Sequence, residues 1–132
     1  MSRAENASLL ELISGKRLDA VCFVLDYATF QFGDLVLAAL ASPLVIEGGV
    51  TTLAKLPGYR DALCRQIERT VVSTSEGPQK LELVFGGGSK IVIPLDAPDP
   101  PGPEMASLSE RGQFVTAWLR PGTQSKPRPN LG

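Results

Sequence analysis

Leu81-Glu-Leu-Val-Phe85, Gly86-Gly-Gly-Ser89 and Lys90-Ile-Val-Ile93 form the stretch that sets the fold. Two runs of strand-forming residues flank a cluster of glycines, which predicts two strands joined by a glycine hairpin. With Lys90 the cluster also imitates a phosphate-binding loop. That chemistry needs backbone N–H groups at the start of a helix and a G-x-x-x-x-G-K-[ST] spacing. Here the spacing fails and a strand follows, so the hairpin is the expectation.

Working upstream, Glu76-Gly-Pro-Gln79 predicts a turn and β-branched Thr70 to Thr74 another strand. A helix is expected from near Gly58, entered through Pro57, with Asp61 at its positive end. Tyr59, Leu63 and Ile67 recur at helical spacing and face the core. Arg60, Arg65, Glu68 and Arg69 then lie in water, with Asp61 and Arg65 paired one turn apart.

The first half reads similarly. Asn6 to Ile13 predicts a short helix, capped by Asn6 or Ser8 and stopped by Gly15. Leu18 to Leu25 predicts a strand, and Asp26-Tyr27 a turn. Ala28-Thr-Phe-Gln-Phe32 alternates, with Phe30 and Phe32 on one face, and Gly33-Asp34 is a hairpin turn. Leu35 to Ala41 follows as a strand or, given its alanines, a helix. Pro43 breaks it, and Leu44 to Ile46 is a short strand ended by Gly48-Gly49. Downstream, Pro94 to Pro103 is extended, Gln113 to Leu119 is a last strand with Phe114 and Trp118 on one face, and 121–132 is a disordered tail.

These elements predict one α+β domain over residues 1–120. Its expected frame is a mostly antiparallel sheet, or partly closed barrel, of about six strands with two helices. The order of elements repeats. A shift of 54 residues places Leu9 on Leu63 and Ile13 on Ile67; one of 53 places Leu18 on Val71, Phe32 on Phe85 and Gly33 on Gly86; one of 55 places Val36 on Ile91. This fits two αβββ half-repeats, 6–46 and 58–96, or chance agreement between two apolar stretches. Real repeats would leave a groove between them.

The run Leu63…Ile67-Glu-Arg-Thr-Val71, then Leu81 to Gly88, then Ile91-Val-Ile93, resembles a pattern in small uncharacterised bacterial proteins of a domain of unknown function. There a helix ends in Ile-Gly-Lys-x-Val and a strand in Phe-x-Asp-Gly. Glu68 stands in place of the glycine, and Gly87 in place of the aspartate. The resemblance spans Tyr59 to Leu95 and brings no catalytic residue. It implies a bacterial origin and adds weight to an assembly- or immunity-type binding role.

Composition narrows the function. With 43% hydrophobic and 20% charged residues, the 132-residue chain is expected to fold rather than remain disordered. A mean hydropathy of +0.07 fits a dimer that hides apolar surface. Thirteen basic and fourteen acidic residues leave a net charge of -1, which argues against nucleic acid or membrane as the main partner. The chain has no histidine, so histidine-based serine or cysteine catalysis and histidine-ligated metal sites are excluded. Neither a signal peptide nor a span of about 20 apolar residues is present. A cytoplasmic protein is expected.

Candidate sites are few. Cys22 and Cys64 read as buried packing residues; Cys64, near Arg60 and Arg65, is the better thiol nucleophile if one exists. Asp26, Tyr27, Asp34, Glu82 and Asp96 read as turn and surface residues rather than acid–base or cation sites. Arg60, Arg65 and Arg69 form a basic helix face, which reads as solvated or as a grip for a carboxylate or phosphate. Phe114 and Trp118 read as core or as interface anchors. No motif specifies a catalytic residue, a metal or a cofactor. The expected function is therefore non-enzymatic binding of another protein or of a second copy, through the second helix and the C-terminal aromatics. A small-ligand domain is the alternative, and an enzyme using carboxylate, tyrosine, lysine or cysteine chemistry the third reading.

Overall fold

In the computed structural model, which describes residues 9–24, 27–97 and 103–121, the apolar runs of the sequence lie in strands. Their order is β1 (Ala20–Val24), β2 (Tyr27–Phe32), β3 (Leu35–Ala39), β4 (Leu44–Glu47), β5 (Val50–Thr52), helix α1 (Tyr59–Cys64), β6 (Val71–Glu76), β7 (Lys80–Phe85), β8 (Lys90–Pro94), β9 (Glu104–Glu110) and β10 (Gln113–Leu119). A 3-10 turn, Leu9–Ile13, precedes β1. The strands form two five-stranded antiparallel sheets, ordered β1-β2-β3-β9-β10 and β5-β4-β8-β7-β6.

This overturns the α+β expectation. The described residues are mostly β: ten strands, one 3-10 turn and one short helix. No barrel closes among them, because β1 and β10 remain edges of the first sheet and β5 and β6 edges of the second. The helices fall short for local reasons. Of the first, the described residues Leu9–Ile13 coil as a 3-10 turn rather than an α-helix, and Gly15 stops it as expected at a φ of 86°, while Asn6 to Ser8 lie outside the described residues. The second helix ends at Cys64, because residues 65–68 turn and Glu68 adopts a φ of 81°. That left-handed conformation costs a non-glycine residue about 1–2 kcal/mol. Two strands escaped the sequence reading. β5 is three residues long, and β9 follows a proline-rich run. The expected turn at Asp26 and tail 122–132 lie outside the described residues, as does 98–102 of the extended segment.

The two halves follow one connectivity. Each has a helical turn, a three-stranded meander and a hairpin. The β4–β5 hairpin adds to the β6–β7–β8 meander through β8, and the β9–β10 hairpin adds to the β1–β2–β3 meander through β3. Each half therefore extends past the αβββ unit by a hairpin that belongs to the other half's sheet. The halves meet at an antiparallel bridge between Arg17 and Thr70. Around it Gly15 N–H donates to the Val71 carbonyl at 2.7 Å, and Glu68 N–H to the Leu18 carbonyl at 2.7 Å. Leu18 N–H donates to Arg69 and Val71 N–H to Lys16, both at 2.9 Å.

Between the sheets lies a single core. Phe30, Phe32, Leu37 and Leu108 of the first sheet meet Leu81, Leu83, Phe85, Ile91 and Ile93 of the second, all essentially without exposure. Each such side chain stabilises the fold by roughly 1.5–3 kcal/mol through burial. Cross-strand partners point to the same side of a sheet, so the ladders also define the outer faces. On the first sheet one outer row runs Ala20, Gln31, Val36, Ser109, Phe114, and the next runs Cys22, Thr29, Ala38, Ser107, Ala117. The second sheet's outer face carries Lys80, Glu82 and Lys90.

Candidate functional site

The chain between β5 and α1 builds an open groove. Leu56 N–H donates to the Leu53 carbonyl and Tyr59 N–H to that of Leu56, each at 3.2 Å, so this segment turns tightly. Lys55 and Gly58 take positive φ values of 76° and 82° there. The turn lies against the β1–β2 end of the first sheet. Tyr59 fastens it from below by donating its hydroxyl to the Pro43 carbonyl at 2.6 Å.

The result is an open groove of about 680 Å³. Phe23, Ala28, Pro43, Leu56 and Pro57 supply its apolar lining, with Tyr27, Lys55 and Arg60 as polar groups. Leu53 and Leu56 are 45% and 47% exposed, so a substantial apolar surface is left uncovered. The Arg60 guanidinium lies over the Phe23 ring, 4.9 Å from its centroid. This cation–π contact holds the group in place while leaving its N–H groups without a hydrogen-bond partner among the described residues. Lys55 has no ion pair among them either.

Burial pushes the Tyr59 phenol up to about 12, so it remains a donor rather than a base. Among the described residues Asp61 is the carboxylate of the lining. Among the described residues no group of three or more His, Cys, Asp or Glu side chains is arranged to hold a metal ion.

The predicted basic face divides. Arg60 lines the groove. Arg65 pairs with Glu47 at 2.8 Å rather than serving mainly Asp61. Arg69 donates to Ser89 Oγ at 2.9 Å and to Gln66 Oε1 at 3.2 Å. The sequence reading missed the centre of this network. Gln66 is fully buried, donates to Glu47 at 2.7 Å and to the Ala62 carbonyl at 3.0 Å, and accepts from Ser89 at 2.6 Å. Its signal was position: it lies three residues beyond Leu63 and four beyond Ala62, on the apolar side of the helix. The carboxyl of Glu47 is held below its ordinary value, chiefly by the Arg65 hydrogen bond. Three cations and amides committed to one carboxylate and one serine make this a structural clamp.

Phe114 and Trp118 part company. An irregularity between Phe114 and Thr116 inserts Val115, which shifts the alternation of β10. Phe114 therefore joins the outer row and is 72% exposed, while Trp118 points inward at 7% and donates to Glu76 at 2.7 Å. The expectation of one shared face is corrected by that bulge. α1 packs against β1 and β4, across the first sheet from β10, so helix and aromatics present separate surfaces.

Both cysteines are exposed, contrary to the expectation of burial. Cys22 faces outward on an edge strand, and Cys64 ends α1. The glycine cluster forms the β7–β8 hairpin, with Gly87 and Gly88 both at a φ of 96°. Asp34 pairs with Arg111 at 3.0 Å and Glu82 with Lys80 at 3.0 Å. No described helix is long and apolar enough to cross a membrane. No family model matches the chain, and neither curated proteins nor solved structures give a match.

Proposed function

We propose that the chain is a non-enzymatic binding module whose groove holds an extended segment of another protein. The observation that carries this reading is the Arg60 guanidinium, fixed over Phe23 beside uncovered Leu56 and without a hydrogen-bond partner among the described residues. Arg60 and Lys55 favour a carboxylate, and the apolar lining favours aliphatic or aromatic neighbours. The segment recognised is thus acidic and apolar together. The open form of the groove favours a chain over an enclosed small ligand, although its volume lies in the range of about 300–1,000 Å³ usual for small-molecule sites. A cytoplasmic location belongs to the same proposal, since two exposed, unbridged thiols suit a reducing compartment.

The test is selection from a displayed library of random peptides on immobilised protein, with counter-selection on Arg60→Ala. Enrichment of peptides that join an acidic residue to apolar ones, and that lose affinity for Arg60→Ala, supports the proposal. Enrichment indifferent to Arg60, or none at all, contradicts it.

A further inference from the structure

We infer that the outer face of the first sheet is a self-association surface covered by a second copy of this chain. An antiparallel sheet with one solvated face normally sets polar and charged side chains outward. The two outer rows of this sheet contain no charged residue across five strands, whereas the other sheet's outer face carries Lys80, Glu82 and Lys90. Charge chooses the occupant. About a twofold axis a surface meets its own image, so a charged face opposes like with like, while a neutral face does not.

The rim agrees with this choice. At one end of the rows, Arg17 pairs with Asp19 and Arg111 with Asp34, each at 3.0 Å, so the nearest charges are already neutralised within the chain. Phe114, the most exposed of the large apolar residues among those described, lies at the edge of the same face. Five strands about 4.8 Å apart, each giving about five residues at 3.3 Å, offer a flat footprint of roughly 400 Å² per copy. A paired face thus buries about 800 Å² of footprint, below the roughly 1,200 Å² of a stable interface, which is the size of a weak, concentration-dependent dimer. Val36 and Ala38, on the central strand β3, lie near the axis whichever way it runs. Neither lines the groove, so the inference stands apart from the proposed function.

Sedimentation velocity on the full chain, from micromolar to about millimolar concentration, tests it. Wild type should dimerise with rising concentration. Val36→Asp and Ala38→Glu should weaken the dimer at least about tenfold by opposing like charges, with fold confirmed by circular dichroism. Val72→Asp, on β6 of the other sheet, should leave it unchanged. Thiol modification gives a second readout that needs no charge inserted: Cys22, in a Cys64→Ser background, should react more slowly as concentration rises, while Cys64 in Cys22→Ser should not. A wild-type chain monomeric throughout overturns the inference. So does a dimer that leaves Cys22 equally reactive, or one that Val72→Asp dissociates.

Discussion

Glu68 holds a φ of 81° where the two halves meet, and Gly15 holds 86° at the matching place in the first half. Their N–H groups make matching bonds, Glu68 to the Leu18 carbonyl and Gly15 to the Val71 carbonyl, both at 2.7 Å. One position is occupied by the residue suited to the left-handed region and the other by a residue that is not.

Replacing Glu68 with glycine should therefore stabilise the protein by about 1 kcal/mol, since the strain removed exceeds the flexibility added to the unfolded chain. The converse, Gly15→Ala, should destabilise by a similar amount through backbone strain alone, because a Cβ at Gly15 meets nothing within 4 Å. Thermal melts should move by a few degrees in opposite directions. A loss of stability in Glu68→Gly would show that its side chain contributes more than its backbone costs.

Acid should act through Glu47. Its carboxyl titrates below the ordinary value of 4.5 because Arg65 and Gln66 bond to the ionised form. The folded state thus keeps the proton off at pH values where the unfolded chain takes it up. The resulting stability is complete above about 4.5 and is lost as pH falls through the lower, folded value. Asp19, lowered by the Gly33 N–H and Arg17, adds in the same direction. Denaturant melts at descending pH should show this loss, and Glu47→Gln should flatten it.

At alkaline pH Tyr59 governs. Its phenol is raised from 10 to about 12 by burial, so the unfolded chain releases that proton first. The stability tied to the protonated phenol is whole below pH 10 and declines as pH rises towards 12. Tyr59→Phe should remove this decline while lowering stability at neutral pH by about 1 kcal/mol, through the lost bond to Pro43. A wild-type alkaline profile in Tyr59→Phe would contradict the assignment.

Strands with plain alternation or β-branched runs were legible from residues alone. Phe30 and Phe32 face the core together, and the Gly86–Ser89 turn joins β7 to β8 as expected. What escaped depends on distant neighbours. Helical spacing from Tyr59 to Arg69 is real in the residues, but the helix ends at Cys64, where 65–68 turn and Glu68, at a φ of 81°, leads into the bond between its N–H and the distant Leu18 carbonyl. Alternation along β10 cannot reveal the extra residue at Val115, because the bulge exists only against β9. Of the candidate site, Arg60 was visible as one of three arginines. Phe23 beneath it was not, since 37 residues separate them and only the turn at 53–58 brings them together.

The most direct test is titration calorimetry of one selected acidic–apolar peptide against wild type, Arg60→Ala, Leu56→Asp and Phe114→Ala. The groove account predicts that Arg60→Ala and Leu56→Asp each weaken binding by at least about tenfold, a loss of about 1.4 kcal/mol, while Phe114→Ala binds as wild type does. Equal affinity for wild type and Arg60→Ala, or a loss confined to Phe114→Ala, would contradict it.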